Sequence, residues 1–114
     1  MPKRDEKVIL EDILDNLKFI LQITYGLTKE EFFENRIISF ATDRGFEIIG
    51  EAERQLPDTF IQLHDEVEWN KMISFRNLLI HEYFRVERSI QWNIIQNILP
   101  DLLSQKQNIY LSLS

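Results

Sequence analysis

Apolar residues recur every three or four positions along most of this chain, and no segment shows clean alternation of apolar and polar residues. That period places side chains on one face of a helix, whereas a half-buried strand needs a period of two. Asn-Gly and Asp-Gly hairpin turns are also absent. The expected fold class is therefore all-α, an antiparallel bundle of four to five helices joined by short connections.

Ile9, Ile13, Leu17, Ile20 and Leu21 form one stripe of a helix expected from about Glu6 to Tyr25, ended by Gly26. Thr28 and Glu31 match a capping box, so a short helix should run from Lys29 to about Asn35. Ile37, Phe40, Ala41, Ile48, Ile49, Ala52 and Leu56 supply the buried side of a long helix over roughly Arg36 to Leu56. Gly45 and Gly50 within it either admit a close neighbouring helix or are merely tolerated. Pro57 ends it. Residues 58–67 form a loop or a single helical turn, and a fourth helix starts near Glu66 to Glu68 and runs to Tyr83 or Phe84. The last helix starts at Glu87 or Ser89. Pro100 either sits in the first turn of a renewed helix or kinks a continuous one.

The 114 residues fit a single domain, 1–114, with one modest core. No cysteine is present, which excludes disulfides, thiolate catalysis and thiolate zinc sites and fits a reducing compartment such as the cytoplasm. The N-terminal residues lack the apolar run of a signal peptide, and no window is long enough to span a bilayer. The formal net charge of -6 argues against a protein that coats nucleic acid non-specifically. Residues 71–90 depart from this, with Lys71, Arg76, Arg85 and Arg88 against Glu82 and Glu87, a local +2 on a remainder of -8. Such a site can hold phosphate, with fewer contacts and a weaker salt dependence than a basic coating protein.

The fourth helix carries the unusual residues. With Arg76 at zero on a helical wheel, Met72 and Leu79 lie roughly 40 to 60 degrees to one side and Ile73 and Ile80 to the other. Phe75, Leu78 and Phe84 cover further directions, so the helix is central or covered by a partner subunit. Arg76, Asn77 and His81 then sit among core-like neighbours, where polar groups are costly unless paired. Asn77 and His81 share a face, as do Arg76 and Tyr83, but the two pairs point about 100 degrees or more apart. One copy of the helix does not converge them on one phosphate; a second copy crossing near Asn77 and Ile80 could.

These residue types suit RNA cleavage without a metal. Arg76 offers a fork of donors to the scissile phosphate and to the charge that develops on it. His81 titrates near neutrality and could take the 2'-hydroxyl proton or protonate the leaving oxygen. Asn77 could fix the imidazole or donate to phosphate. Tyr83 could orient phosphate, stack on a base or donate a proton, but its ordinary pKa makes it a poor base. Glu51 either pairs with Arg76 across the core or faces solvent. The competing explanation is a satisfied polar network in the core with no chemistry.

His64 reads as an ordinary structural or exposed residue, and Trp69 and Trp92 as packing or interface aromatics. No nucleotide-binding glycine loop, zinc-finger spacing or EF-hand pattern is present, so neither cofactor nor metal is expected.

The run MISFRNLLIHEYFRVE resembles the signature of the HEPN superfamily, in its HepT-like branch: Arg-x4-His-x-Tyr, met by Arg76, His81 and Tyr83, with Asn77 after the arginine. FEIIGEAERQLP, from Phe46 to Pro57, is similar to that branch's third-helix segment, and WNIIQNILPDLL, from Trp92 to Leu103, to its final helix. The resemblance implies a ribonuclease toxin of a type VII-like toxin–antitoxin pair, acting as a homodimer whose two copies line one cleft. It also implies a minimal nucleotidyltransferase antitoxin as partner, which would adenylylate Tyr83. The alternative is a non-cleaving homodimeric helical module that binds such a nucleotidyltransferase or helps it engage substrate; a purely structural helical dimer is a third reading.

Overall fold

Asp5 starts the first helix by accepting the Lys7 amide at 2.8 Å, which satisfies one of the otherwise unpaired donors of the first turn. The computed structural model describes residues 5–69, 72–73 and 88–113. Among these residues there is no strand, and six helices have defined bounds. They are α1 (Glu6–Thr24), α2 (Lys29–Glu34), α3 (Arg36–Arg54), α4 (Asp58–Leu63), α5 (Arg88–Asn97) and α6 (Leu99–Ser112). Residues 69, 72 and 73 are helical too. The all-helical bundle expected from the periodicity is therefore what forms. The number of helices rises because residues 58–63 make a helical turn and the last helix restarts at Leu99. Pro100 lies in the first turn of α6, where its missing amide proton removes no helical hydrogen bond.

The connections follow their local chemistry. Gly26 adopts φ +79 after α1, a conformation an L side chain resists. The Thr28–Glu31 capping box is present in both directions: the Glu31 amide donates to Thr28 Oγ1 at 3.1 Å and the Thr28 amide to Glu31 Oε1 at 2.8 Å. Asn35 ends α2 and caps α3, accepting the Ile38 amide at 3.0 Å. The third helix stops at Arg54, two residues before the expected Leu56. Pro57 disfavours helical backbone at the residue before it, which accounts for the earlier end.

The core is built on α1. Ile9, Leu10, Ile13, Leu17 and Ile20 are buried and pack mainly against α3, with α6 on another side. Gly45 permits a close approach: a Cβ there would lie 2.8 Å from Ile20 Cδ1. On α3 the buried residues are Ser39, Thr42, Gly45, Phe46, Ile49, Gly50, Ala52 and Glu53. This corrects part of the expected stripe, since Ile37 and Phe40 are 84% and 56% exposed. Ser39 and Thr42 can replace them in the interior because their hydroxyls donate to backbone carbonyls, Phe32 at 3.0 Å and Ile38 at 2.8 Å. Phe32 is buried under α2 and meets Trp92 of α5 at a ring separation of 5.4 Å. No helix among the described residues is long and apolar enough to cross a membrane.

Candidate functional site

Arg76, Asn77, His81 and Tyr83 lie outside the described residues, as does most of the expected fourth helix. The described residues give the frame on either side of them. Upstream, the chain leaves α4 through a turn in which the Val67 amide donates to the His64 carbonyl at 3.2 Å. The Trp69 indole donates to the same carbonyl at 2.9 Å, and its ring lies 6.1 Å from Phe60. Trp69 and, one turn on, Met72 are buried. His64 packs its ring 4.7 Å from Phe60, and its Nδ1 is 3.9 Å from Glu66. These contacts fit the structural parts expected of His64 and Trp69; Trp92 likewise packs, on Phe32.

Downstream, Arg88 opens α5 and reaches back to α3. Its Nη1 donates to Asp43 Oδ1 at 2.6 Å and its Nη2 to Asp43 Oδ2 at 3.1 Å. Such a fork-to-carboxylate pair fixes direction as well as distance. Gln91, fully buried, closes the group: its Nε2 donates to Asp43 Oδ1 at 2.5 Å, and its Oε1 accepts from Arg88 Nη1 at 2.6 Å. Arg88 belongs to the local basic window of residues 71–90, but its charge is already matched by Asp43.

Glu51 lies on the exposed side of α3, its side chain half exposed and 3.9 Å from Arg54. It is thus not a core carboxylate, and the partner expected for it, Arg76, lies outside the described residues. The buried carboxylate of α3 is Glu53, two residues on and therefore roughly 200 degrees around the helix. It bonds Lys106 of α6, with both side chains out of solvent. The Lys106 ammonium also sits 5.2 Å from the Trp69 ring centroid, on the aromatic face that attracts cations. Glu53 Oε2 is buried and has no hydrogen-bond partner among the described residues. Burial pushes the Glu53 carboxyl up to about 7, against the opposing charge and hydrogen bond of Lys106. Neither residue is an evident candidate from sequence. Lys106 does stand in register with Leu99, Leu102 and Ile109, which is the one signal that could have marked it as interior.

One surface cavity of about 270 Å³ is lined by Glu66, Glu68 and Asp101 with Asn97 and Gln105, and its acidic wall repels phosphate. Among the described residues no group of three or more His, Asp or Glu side chains is placed to hold a metal ion.

Comparison with known proteins adds what these side chains alone do not carry. A family model described as "Ribonuclease HepT-like" matches residues 13–109. A protein of Methanocaldococcus jannaschii, provisionally named an RNase, is 38% identical over 109 residues, which cover 96% of this chain and 90% of that protein. The "Probable ribonuclease HepT" of Thermococcus cleftensis is 37% identical over 100 residues, covering 88% and 91%. A provisionally named RNase of Caldanaerobacter subterraneus is 37% identical over 100 residues, covering 88% and 89%. No solved structure gives a significant match.

Proposed function

Because the chain belongs to the HepT-like ribonuclease family, we propose that it is an RNA endonuclease whose substrate supplies the nucleophile and which uses no metal. The observation that carries this reading is the reach of the family match: residues 13–109 include the whole Arg76-x4-His81-x-Tyr83 spacing.

In the proposed step the ribose 2'-oxygen attacks the adjacent phosphorus, the bond from phosphorus to the 5'-oxygen breaks, and the products are a 2',3'-cyclic phosphate and a 5'-hydroxyl. His81 takes the 2'-hydroxyl proton or delivers one to the leaving oxygen. Arg76 binds the phosphate and balances the charge that accumulates on its oxygens. Asn77 orients the imidazole or donates to the phosphate, and Glu51, on the accessible side of α3, supports Arg76. Because the Arg76 and His81 directions diverge on one helix, the complete site belongs to two copies of the chain.

The same reading makes the protein the toxin of a pair with a minimal nucleotidyltransferase antitoxin, with Tyr83 as the residue that partner adenylylates. Adding a charged nucleotide to a tyrosine two residues from His81 would obstruct RNA binding by bulk and by repulsion of phosphate.

The test is RNA cleavage in the presence of a chelator by wild type, Arg76→Ala and His81→Ala. Wild type should yield 2',3'-cyclic phosphate ends and both variants should lose activity. Equal activity in all three, or none in clean wild type, sinks the nuclease reading and leaves the non-cleaving module. Solution mass should report twice the chain mass of 13.7 kDa. Intact-mass analysis after incubation with the nucleotidyltransferase and ATP should show one added AMP, absent in Tyr83→Phe.

A further inference from the structure

We propose that Asp43 and Arg88 form a positioning clamp for the cleavage site, and that Arg88 is not one of its phosphate contacts. The inference rests on the ribonuclease reading and gives it a component that the signature residues do not include.

Arg88 is the first residue of α5 and follows Tyr83 by five positions and His81 by seven. Its place in a locally basic run makes it look like a phosphate binder. Its geometry says otherwise. Both terminal nitrogens are engaged by Asp43, in a bidentate pair whose two side chains are only 27% and 20% exposed. Gln91 holds both partners at once and is wholly buried. To reach RNA, Arg88 would have to abandon two short charge-assisted hydrogen bonds and leave the Asp43 carboxylate and the buried Gln91 amide short of partners, which is costly.

The group ties the start of α5 to the middle of α3 across 45 residues of chain. Arg88 follows His81 by only seven residues of chain, so fixing Arg88 limits where the residues before it can go. A closed triangle of fork, carboxylate and amide sets that point more narrowly than apolar packing, which tolerates sliding. Acid–base catalysis depends on placement to within fractions of an ångström, so an anchor seven residues along the chain from His81 is of direct use to its placement.

The experiment compares wild type, Asp43→Asn, Arg88→Lys and the exchanged pair Asp43→Arg/Arg88→Asp, as full-length chains shown to be folded. An aspartate at residue 88 suits the first turn of α5, so the exchange is not biased against folding. Each is assayed for kcat and KM on a short RNA, and for RNA affinity as a function of salt. Arg88→Lys keeps the charge but loses the fork. Both single variants should lower kcat on the order of 10²-fold, the effect of a misplacement of about 1 Å, with the salt slope unchanged. The exchanged pair should restore most of kcat. If both single variants keep wild-type kcat, the clamp is overturned and the ribonuclease reading stands. If the exchanged pair instead lowers the salt slope by about 1, Arg88 is a phosphate contact and the inference is overturned. If wild type itself does not cleave, the ribonuclease reading falls and the clamp's part in cleavage falls with it.

Discussion

Lys106 donates to Glu53 with both side chains at 0% exposure, which joins the last helix of the bundle to the third by an ion pair inside the core. Among the described residues only one carboxylate oxygen is satisfied; Oε2 has no hydrogen-bond partner there. A buried pair in this state owes little net stability to its charges, because desolvation offsets most of their attraction. Replacing both residues by apolar ones, Glu53→Leu/Lys106→Met, should leave stability unchanged or raise it by about 1 to 4 kcal/mol. Lys106→Met alone should cost about 3 to 5 kcal/mol, because Glu53 stays buried without its partner, as a bare charge or as a carboxyl held protonated. Urea denaturation of the three chains checks the pattern; a double variant weaker than the single one would contradict it.

The same carboxyl makes stability depend on pH. Unfolded, Glu53 ionises near its ordinary 4.5; folded, near about 7. Between those values the folded chain holds a proton that the unfolded chain has released, so its contribution to stability falls as pH rises from 4.5 to about 7 and levels off above. Unfolding free energies at about pH 5 and about pH 8 should therefore move wild type down relative to the Glu53→Leu/Lys106→Met double variant, which lacks this titration. A wild type that gains on that variant over the same interval would show the carboxyl to be ionised throughout.

Gly45→Ala tests the approach of α1 to α3. Alanine favours helix by about 1 kcal/mol over glycine. Its Cβ, however, would sit 2.8 Å from Cδ1 and 2.9 Å from Cγ1 of Ile20, a side chain with no exposed surface into which to move. Overpacking of this kind costs about 1 to 3 kcal/mol, so the thermal midpoint should fall. Gly45→Ala combined with Ile20→Val should recover part of that loss; a rise in midpoint for Gly45→Ala alone would mean that the helices simply move apart.

Thr28→Ala removes one half of the capping box at α2 and should lower stability by about 1 kcal/mol. Glu31→Gln retains a side-chain acceptor for the Thr28 amide and should cost less. A larger loss for Glu31→Gln than for Thr28→Ala would indicate that the charge near the helix N-terminus, rather than the reciprocal hydrogen bonds, carries the effect.

Much of the bundle could be read before folding because its signals are local. The α1 stripe repeats at a helical period, and Thr28, Asn35 and Pro57 mark their boundaries by chemistry that acts over three or four residues. What escaped depends on which side of a helix is covered. Ile37 and Phe40 look interior by residue type, yet the covered side at that end of α3 holds Ser39 and Thr42. Glu51 and Glu53 look alike in sequence and sit on nearly opposite faces, and Lys106 looks like an interruption in an apolar repeat of which it is a buried member. The candidate chemistry was legible for another reason: arginine, asparagine, histidine and tyrosine are conspicuous in an apolar segment at any register. Arg88 shows the limit of that approach: its residue type counts it toward a local basic window, and only its distances to Asp43 show that its charge is already paired.

Trp69 and Trp92 give the molecule two optical reporters in separate places. The Trp69 indole bonds the His64 carbonyl and lies beside the Lys106 ammonium, where the turn after α4 meets α6. Trp92 lies on Phe32, where α5 meets α2. With Trp92→Phe the remaining emission follows the first junction, and with Trp69→Phe it follows the second. Superimposable denaturation curves from the two chains would identify the bundle as one cooperative unit.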